Sequence, residues 1–415
     1  MSPRRSSELF LHRELADFLA SGHKDRAFPS LMAQNLHQAL SSEVTDGSMQ
    51  SVIDACAREV RRWLEAGEHR EATGALLEIG HDRRRIQLLD DRRLMMVAKA
   101  LQSVGLFEAS EPFYRASLEH AAAGASLRPS RRVELATARA RLAIFLGDSE
   151  RFAKAVDRLA RSGPVRAKGA EQFRALDRFS QQDVPLTVQP GWFGDLIRET
   201  PVLLCGPGPL GGGLPHREQM LAARILADPL PDFDDLADPA GGRTDLAYGA
   251  GKVGRQLLRP DDPFRQAVLG RFQALSFPST DVVEALSEAG DTRVRRYRKP
   301  RLYGHGTSFM AINILWDLLD NGAREVHVTG VTAFLGREPY RASQNRATSF
   351  GSVPGEEFDR CFEYAKNDVI FNRAVLQRLG ASHRVFGDAG FVRMTGLSHR
   401  EYLQELDEIY GAHRR

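Results

Sequence analysis

The alternation of short apolar runs with helical segments beyond about residue 199 is the feature that most restricts the fold of this chain. Strands are predicted at 201–205, 244–249, 272–277, 292–298, 325–331 and 382–387. Helices are predicted at 215–227, 249–258, 279–288, 307–321, 355–379 and 397–412. Such alternation is typical of a largely parallel sheet, because each parallel connection must cross back over the sheet. We therefore predict a Rossmann-like α/β domain over residues 199–415.

The first 163 residues show a different pattern, a nearly continuous helical periodicity rich in Ala, Leu, Arg and Glu. Gly67, Gly105 and Gly147 recur at similar spacing, and each separates two amphipathic halves. The segment around Gly105 resembles a tetratricopeptide-type helical hairpin, in which glycine ends the first helix. A stack of such hairpins leaves a groove for a protein partner or for self-association. The alternative is a helical cap that only stabilises the rest of the protein.

Residues 164–198 are rich in Pro, Gly and Gln and lose the helical periodicity, so they are interpreted as a linker. The chain has 57 basic and 54 acidic side chains, a balance that does not favour a nucleic acid partner. Its cysteines show no C-x-x-C spacing, which fits a cytoplasmic protein without disulfides or a zinc knuckle. No run approaches the roughly 18 apolar residues of a membrane helix, so a membrane-spanning segment is not expected.

The run PVLLCGPGPLGGG, at 201–213, ends the first predicted strand in a cluster of Gly and Pro. Gly206, Gly208 and Gly211 satisfy the spacing G-x-G-x-x-G, which in dinucleotide-binding proteins lets the backbone approach a pyrophosphate. The sequence therefore predicts a glycine turn able to face an anion. A tight strand-to-helix turn without a ligand is the alternative.

Two features argue against a nicotinamide or flavin ligand at this turn. Pro207 and Pro209 interrupt it, and the helix predicted at 215–227 places Asp228 after a helix. The dinucleotide fingerprint expects its acidic residue at the end of a second strand. A Walker loop is also excluded, because no G-K-[ST] follows the glycines.

Two further segments should lie at the same edge of the sheet. YGAGKVGRQL, at 248–257, follows a predicted strand and carries Lys252 and Arg255, which could neutralise a phosphate. Gly304 to Ser308 open the helix predicted at 307–321, whose first hydroxyls could cap it and whose dipole favours an anion. Because right-handed crossovers carry successive loops to the carboxyl edge, we expect the three segments to form one anion pocket.

Over about residues 199–390 these motifs resemble the sialyltransferase-like glycosyltransferases of families 29 and 42. PVLLCGPGP is similar to the first donor motif, with Pro207 where the family usually has asparagine, and HGTSFMAINIL is similar to the second. The resemblance implies a metal-independent, inverting transfer of sialic acid or a related keto-sugar from a CMP-activated donor to a glycan acceptor. No cofactor is implied. The donor-binding residues that it implies are Gly206, Gly208, Pro209, Tyr248, Lys252, Gly306, Thr307 and Ser308.

The catalytic residues are less directly implied. EYAKNDVIFNRAVLQRLG, at 363–380, resembles the late helix of bacterial members, which often begins with His-Asp, but this chain has Asn367-Asp368. The general base is therefore expected to be Asp368 or His305, unless catalysis is lost. His305 lies between glycines and can accept a proton near neutral pH. A structural role is the alternative for both residues.

Two charged segments have alternative interpretations. Asp232 and Asp234 form the D-x-D pattern of metal-dependent glycosyltransferases, but they lie in a Pro-rich loop and are interpreted as solvated. An alternating basic run could face an anionic acceptor or protect an edge strand from pairing. Its members are Arg293, Arg295, Arg296, Arg298, Lys299 and Arg301.

Two alternative functions remain open from the sequence. The same glycine turn, helix and strand occur in domains that resemble 6-hydroxymethylpterin pyrophosphokinases, which would require ATP and magnesium. The chain could also be an interaction protein, in which the α/β domain is catalytically inactive and the helical repeats recruit partners.

Overall fold

The structure, a computed structural model, describes residues 47–124, 129–161, 164–180, 191–206, 219–226, 244–290, 293–300, 302, 308–335 and 368–411. The helices before the sheet are α1 (Gly47–Ala66), α2 (His69–His81), α3 (Arg83–Ile86), α4 (Asp91–Ser103), α5 (Phe107–Ala123), α6 (Pro129–Leu146), α7 (Ser149–Ala160), α8 (Pro164–Ser180) and α9 (Trp192–Glu199). The later helices are α10 (Gly251–Leu257), α11 (Pro263–Val268), α12 (Thr280–Glu288), α13 (Met310–Asp320), α14 (Val369–Gly380), α15 (Ala389–Gly396) and α16 (His399–Gly411).

The chain divides into two compact units. The first comprises Met1–Leu142, Pro354–Val369 and Ser398–Arg415, and the second comprises Ala143–Val353 and Ile370–Leu397. These limits differ from the predicted domain boundaries at 163 and 198. The segment interpreted as a linker contains α8 and α9, and α8 packs against α7.

In its described part the first unit is helical. Gly67 and Gly105 in this unit, and Gly147 in the second unit, lie between consecutive helices, as predicted, with φ angles of 74°, 80° and 67°. This left-handed conformation ends a helix at little cost only when the residue is glycine. In the core of the unit, α5 packs against α2, α4 and α16. The interpretation of these helices as repeats stays a prediction.

The second unit contains a seven-stranded sheet in which every described pair of neighbours is parallel. Its strands are β1 (Val202–Cys205), β2 (Leu221–Leu226), β3 (Leu246–Gly249), β4 (Ala274–Phe277), β5 (Val294–Arg296), β6 (Val326–Thr329) and β7 (Val385–Gly387). The predicted parallel α/β architecture is confirmed. All six strands expected from the sequence are present, each shorter than its predicted range.

The prediction of a helix at 215–227 is wrong, because residues 221–226 form the strand β2. LAARIL is buried along almost its whole length between β1 and β3. A strand covered on both faces shows a continuous apolar run rather than alternation, and such a run cannot be told from a buried helical segment by its periodicity.

The strand order β5-β4-β3-β2-β1-β6-β7 places β1 between β2 and β6. Strands β2 to β5 extend the sheet on one side of β1, whereas β6 and β7 extend it on the other. The connections therefore reverse direction at the boundary of β1 and β6. In open parallel sheets, ligands bind in the crevice outside the carboxyl ends of the strands at this reversal.

Candidate functional site

Gly206 and Gly330 approach each other closely at the carboxyl ends of β1 and β6. The N–H of Gly206 donates to the carbonyl oxygen of Thr329 at 2.7 Å. A Cβ atom at position 206 would lie 2.3 Å from the carbonyl oxygen of Gly330, too close for any side chain. The N–H of Gly206 is therefore not a free donor to an anion, because Thr329 already accepts it. The absence of a side chain at Gly206 instead lets the backbones at the ends of β1 and β6 approach closely.

The exit of β6 is fixed by Asp388. Its Oδ2 accepts hydrogen bonds from the hydroxyl of Thr329 at 2.8 Å and from the N–H of Gly330 at 3.0 Å. Its Oδ1 accepts the N–H of Phe391 at 2.8 Å and so caps α15. The side chain is buried, and these bonds tie the end of β6 to the start of α15.

The loop after β6 is strained. Ala333 and Phe334 have φ angles of 44° and 71°, which non-glycine residues rarely adopt. Such outliers persist only where the surrounding structure imposes them, and they are concentrated at functional sites. The position of this loop beside the reversal of strand order makes it part of the candidate site.

The start of α13 contacts this strained loop. The ring of Phe309, the N-cap residue, packs edge-to-face on the ring of Phe334, with 5.0 Å between centroids. The N–H of Phe309 donates to Oδ1 of Asn372 in α14 at 2.9 Å. Ser308, expected to cap the helix, instead donates its hydroxyl to Oδ1 of Asn313 at 2.6 Å.

Tyr297 lies between the end of β3 and the start of α13. Its hydroxyl donates to the carbonyl oxygen of Gly249 at 3.4 Å and contacts the sulfur of Met310 at 3.8 Å. Both distances are long, although the residue is only 1% exposed and buried tyrosine hydroxyls usually find a good partner. Burial raises the pKa of Tyr297.

These contacts connect described parts of all three segments that were expected to meet. Gly206 lies against the exit of β6, Phe334 of the following loop packs on the start of α13, and Tyr297 joins that start to Gly249. The prediction that Gly208 and Thr307 line one pocket lies outside the described residues.

Tyr248, a predicted donor-binding residue, is fully buried. Its hydroxyl donates to Oδ2 of Asp317 in α13 at 2.8 Å. Burial raises the pKa of Tyr248 well above its usual range, and the neighbouring carboxylate adds to the rise. The hydroxyl therefore has a partner within the fold.

Arg295 also binds Asp317. Its guanidinium donates two hydrogen bonds to the carboxylate, at 2.6 and 2.9 Å, and stacks on the ring of Phe193 at 3.8 Å. Tyr248, Ser276 and Arg295 are aligned across β3, β4 and β5, so the polar row anchors α13 on the sheet. The basic run was expected to face an anionic acceptor or to protect an edge strand from pairing. Arg295 does neither, because its side chain is largely buried and paired with Asp317.

Asp368, a predicted catalytic base, belongs to the helical unit. Its carboxylate accepts the hydroxyl of Tyr114 at 2.9 and 3.0 Å and pairs with Nζ of Lys99 at 3.3 Å. The residue is 1% exposed and has a φ angle of 51°. The Asp368 carboxylate is therefore already paired with a positive charge and hydrogen-bonded inside this unit. Burial lowers the pKa of the nearby Arg141.

One further predicted site residue is placed by its helix. Lys252 lies in the first turn of α10. The remaining ones lie outside the described residues: Gly208, Pro209, His305, Gly306 and Thr307. Asp232 and Asp234 lie outside them as well.

Sequence reasoning missed four residues of the candidate site and its supports: Tyr297, Asp317, Asn372 and Asp388. Only Asp317 carried a signal, as an acidic residue within the apolar run of α13.

In the described part of the chain, no group of three or more His, Cys, Asp or Glu side chains is arranged to hold a metal ion. The described helices also include none that is both long and apolar enough to cross a membrane. Comparisons with known protein families, with curated proteins and with solved structures found no match to this chain.

Proposed function

We propose that the chain transfers sialic acid or a related keto-sugar from a CMP-activated donor to a hydroxyl of a glycan, with inversion and without a metal ion. A series of contacts carries this proposal: Gly206 lies against Gly330, the loop that follows packs through Phe334 on the start of α13, and Tyr297 links that start to Gly249. These are the segments in which the sequence resembles the donor motifs of sialyltransferase-like enzymes. The linkage of their described parts beside the reversal of strand order supports a nucleotide site, because parallel sheets bind ligands there.

In the proposed reaction, the acceptor oxygen attacks the anomeric carbon of the keto-sugar from the face opposite to CMP. The bond between that carbon and the phosphate oxygen breaks, and CMP leaves with the electron pair. Charge then grows on the phosphate, where the N-terminus of α13 would stabilise it. Lys252 would add a positive charge to the same group.

The acceptor hydroxyl must also lose its proton, and we assign this step to His305. A neutral imidazole is a suitable base near pH 7. The carboxylate of the alternative base, Asp368, is already engaged by the hydroxyl of Tyr114 and by Nζ of Lys99 in the helical unit. This contrast supports His305 over Asp368.

One observation favours a second candidate, a dinucleotide ligand at the same edge. Since 221–226 is a strand, Asp228 follows β2 almost immediately, and one of the two arguments against the dinucleotide fingerprint no longer holds. The interruption of the turn by Pro207 and Pro209 remains against it.

Thermal-shift and calorimetric titrations with CMP, CDP, ATP and NAD, each with and without magnesium, separate these functions. Binding of CMP in the absence of magnesium is expected. Binding of ATP only with magnesium would favour a pyrophosphokinase-like enzyme, and binding of NAD would favour the dinucleotide site. No response to any of the four would favour an inactive α/β domain in an interaction protein.

A further inference from the structure

The turn that follows β6 holds an aromatic side chain in an unfavourable backbone conformation. It is closed by a hydrogen bond of 3.0 Å from the N–H of Leu335 to the carbonyl oxygen of Thr332. The two residues between them, Ala333 and Phe334, have φ angles of 44° and 71°. Positive φ at both central positions is the pattern of a type I′ turn, in which Gly, Asn and Asp predominate. A bulky side chain such as that of Phe334 is strained there.

This turn begins where β1 and β6 approach each other most closely. A Cβ atom at position 206 would lie 2.3 Å from the carbonyl oxygen of Gly330 and 2.6 Å from Cγ2 of Val331, the residue just before the turn. The strand order reverses between these two strands. Phe334 therefore follows directly on the crevice in which open parallel sheets bind their ligands.

The ring of Phe334 does not belong to the hydrophobic core. Among the phenylalanines that the structure describes in the second unit, those that are not buried are Phe309, Phe334 and Phe386. The first two form the edge-to-face pair with 5.0 Å between ring centroids. Such a contact covers at most one face of each ring. Burial of the ring therefore does not explain why a strained turn carries a phenylalanine.

We propose that Phe334 is the residue on which the cytosine base of the donor nucleotide stacks. The inference rests on the proposed function. Every nucleobase has a planar π-face, and stacking of that face on an aromatic side chain is favourable without any charge. A phenyl ring at the crevice thus suits the base of CMP and not its phosphate. Phe309 would hold the ring from the side, since its own N–H is fixed by Oδ1 of Asn372 at 2.9 Å.

The test compares Phe334→Leu with Phe334→Tyr in the full chain, by calorimetric titration with CMP and with cytidine. Loss of the aromatic face should weaken the binding of both ligands by the same factor, about fivefold or more. Because both ligands carry the base, the loss should not depend on the phosphate. Phe334→Tyr keeps an aromatic face, so its affinities should stay within about twofold of wild type.

Phe386→Leu is the matched control. Phe386 is also exposed, at 45%, and its ring also has an aromatic neighbour, the imidazole of His327 at 5.1 Å. It lies on β7, at the edge of the sheet. The same substitution there should leave the affinities for CMP and cytidine within about twofold of wild type.

Phe334→Gly provides a second test if Phe334→Leu fails to fold. Glycine adopts positive φ without strain, so this variant should unfold at a urea concentration no lower than that of wild type. It should nevertheless lose affinity for CMP and cytidine as Phe334→Leu does. A less stable Phe334→Gly protein with unchanged affinities would show that the ring only packs within the fold.

The outcomes separate this inference from the proposed function. If wild type binds neither CMP nor cytidine, both are overturned. If wild type binds CMP and Phe334→Leu retains that affinity, the stacking role is rejected and the proposed function stands. A loss for CMP without a loss for cytidine, an equal loss in Phe334→Tyr, or an equal loss in Phe386→Leu would each reject the stacking role as well.

Discussion

The carbonyl oxygen of Gly330 occupies the space into which a side chain on Gly206 would project. Replacing Gly206 with alanine should therefore force β1 and β6 apart at their carboxyl ends and lower the free energy of unfolding by about 1–3 kcal/mol. Urea unfolding followed by circular dichroism measures this change. The matched control is Gly74→Ala in α2, where a Cβ meets nothing within 4 Å. That substitution should increase stability by about 0.5–1 kcal/mol, and equal effects of the two would contradict the close approach.

Tyr248 and Tyr297 are adjacent buried tyrosines whose hydroxyls have different partners. Tyr248→Phe removes a 2.8 Å bond to Asp317 and should lower the free energy of unfolding by about 1–2 kcal/mol. Tyr297→Phe removes only the long contacts to the carbonyl of Gly249 at 3.4 Å and to the sulfur of Met310 at 3.8 Å, and should cost less than about 0.5 kcal/mol. Denaturant titrations of both variants check the ranking. A larger loss in Tyr297→Phe would show that its hydroxyl is better bonded than the distances indicate.

Asp407 in α16 accepts the N–H of Phe107 at 2.6 Å and that of Glu108 at 3.1 Å. Burial nevertheless raises the pKa of Asp407 well above its usual range. The folded protein therefore binds this proton more tightly than the unfolded chain, where the pKa is about 3.9. The stability contributed by the group is fully present below about pH 3.9 and is lost as the pH rises through the raised pKa.

Asp407→Asn cannot ionise and should escape that loss. It gives up one acceptor, a constant cost of about 1 kcal/mol. Relative to wild type, its free energy of unfolding should increase as the pH rises from about 4 towards neutrality. Urea titrations of both proteins across this interval measure the difference. A difference that does not change with pH would show that Asp407 titrates normally in the folded protein.

His305 is the base in the proposed reaction, so turnover should rise with pH through its pKa, about 6.5 if unperturbed. His305→Gln should lower turnover about 10²-fold or more and leave CMP affinity nearly unchanged. Rates with a CMP-sugar donor at saturation, measured between pH 5 and 8, provide the test. An active variant with unaltered pH dependence would reject His305. Asp368→Asn serves as the comparison, since its main effect should be on the stability of the helical unit, where it pairs with Lys99.

Much of the fold could be predicted because its signals are local. Helix ends at Gly67, Gly105 and Gly147 follow from the conformational freedom of glycine, and the parallel sheet follows from the alternation of strands and helices. The strand β2 was missed because LAARIL is buried on both faces. Its sequence therefore lacks the alternation of apolar and polar residues that would distinguish a strand from a buried helix.

The candidate site could be predicted only as a set of segments. The order of the strands brings Gly206 to Gly330, and packing brings Asn372 to Phe309, although these residues are far apart in the sequence. Tyr248 and Arg295 carried the chemistry of ligand-binding residues, but Asp317 engages both within the fold. Pairings between distant elements decide which polar side chains remain available to a ligand, and no local pattern contains that information.

Titration of the full chain with CMP in EDTA tests the central claim most directly. The account predicts saturable binding at one site per chain, tighter than that of cytidine and unchanged when magnesium or manganese is supplied instead of EDTA. Absence of CMP binding under these conditions, together with binding of NAD or of ATP with magnesium, would contradict it.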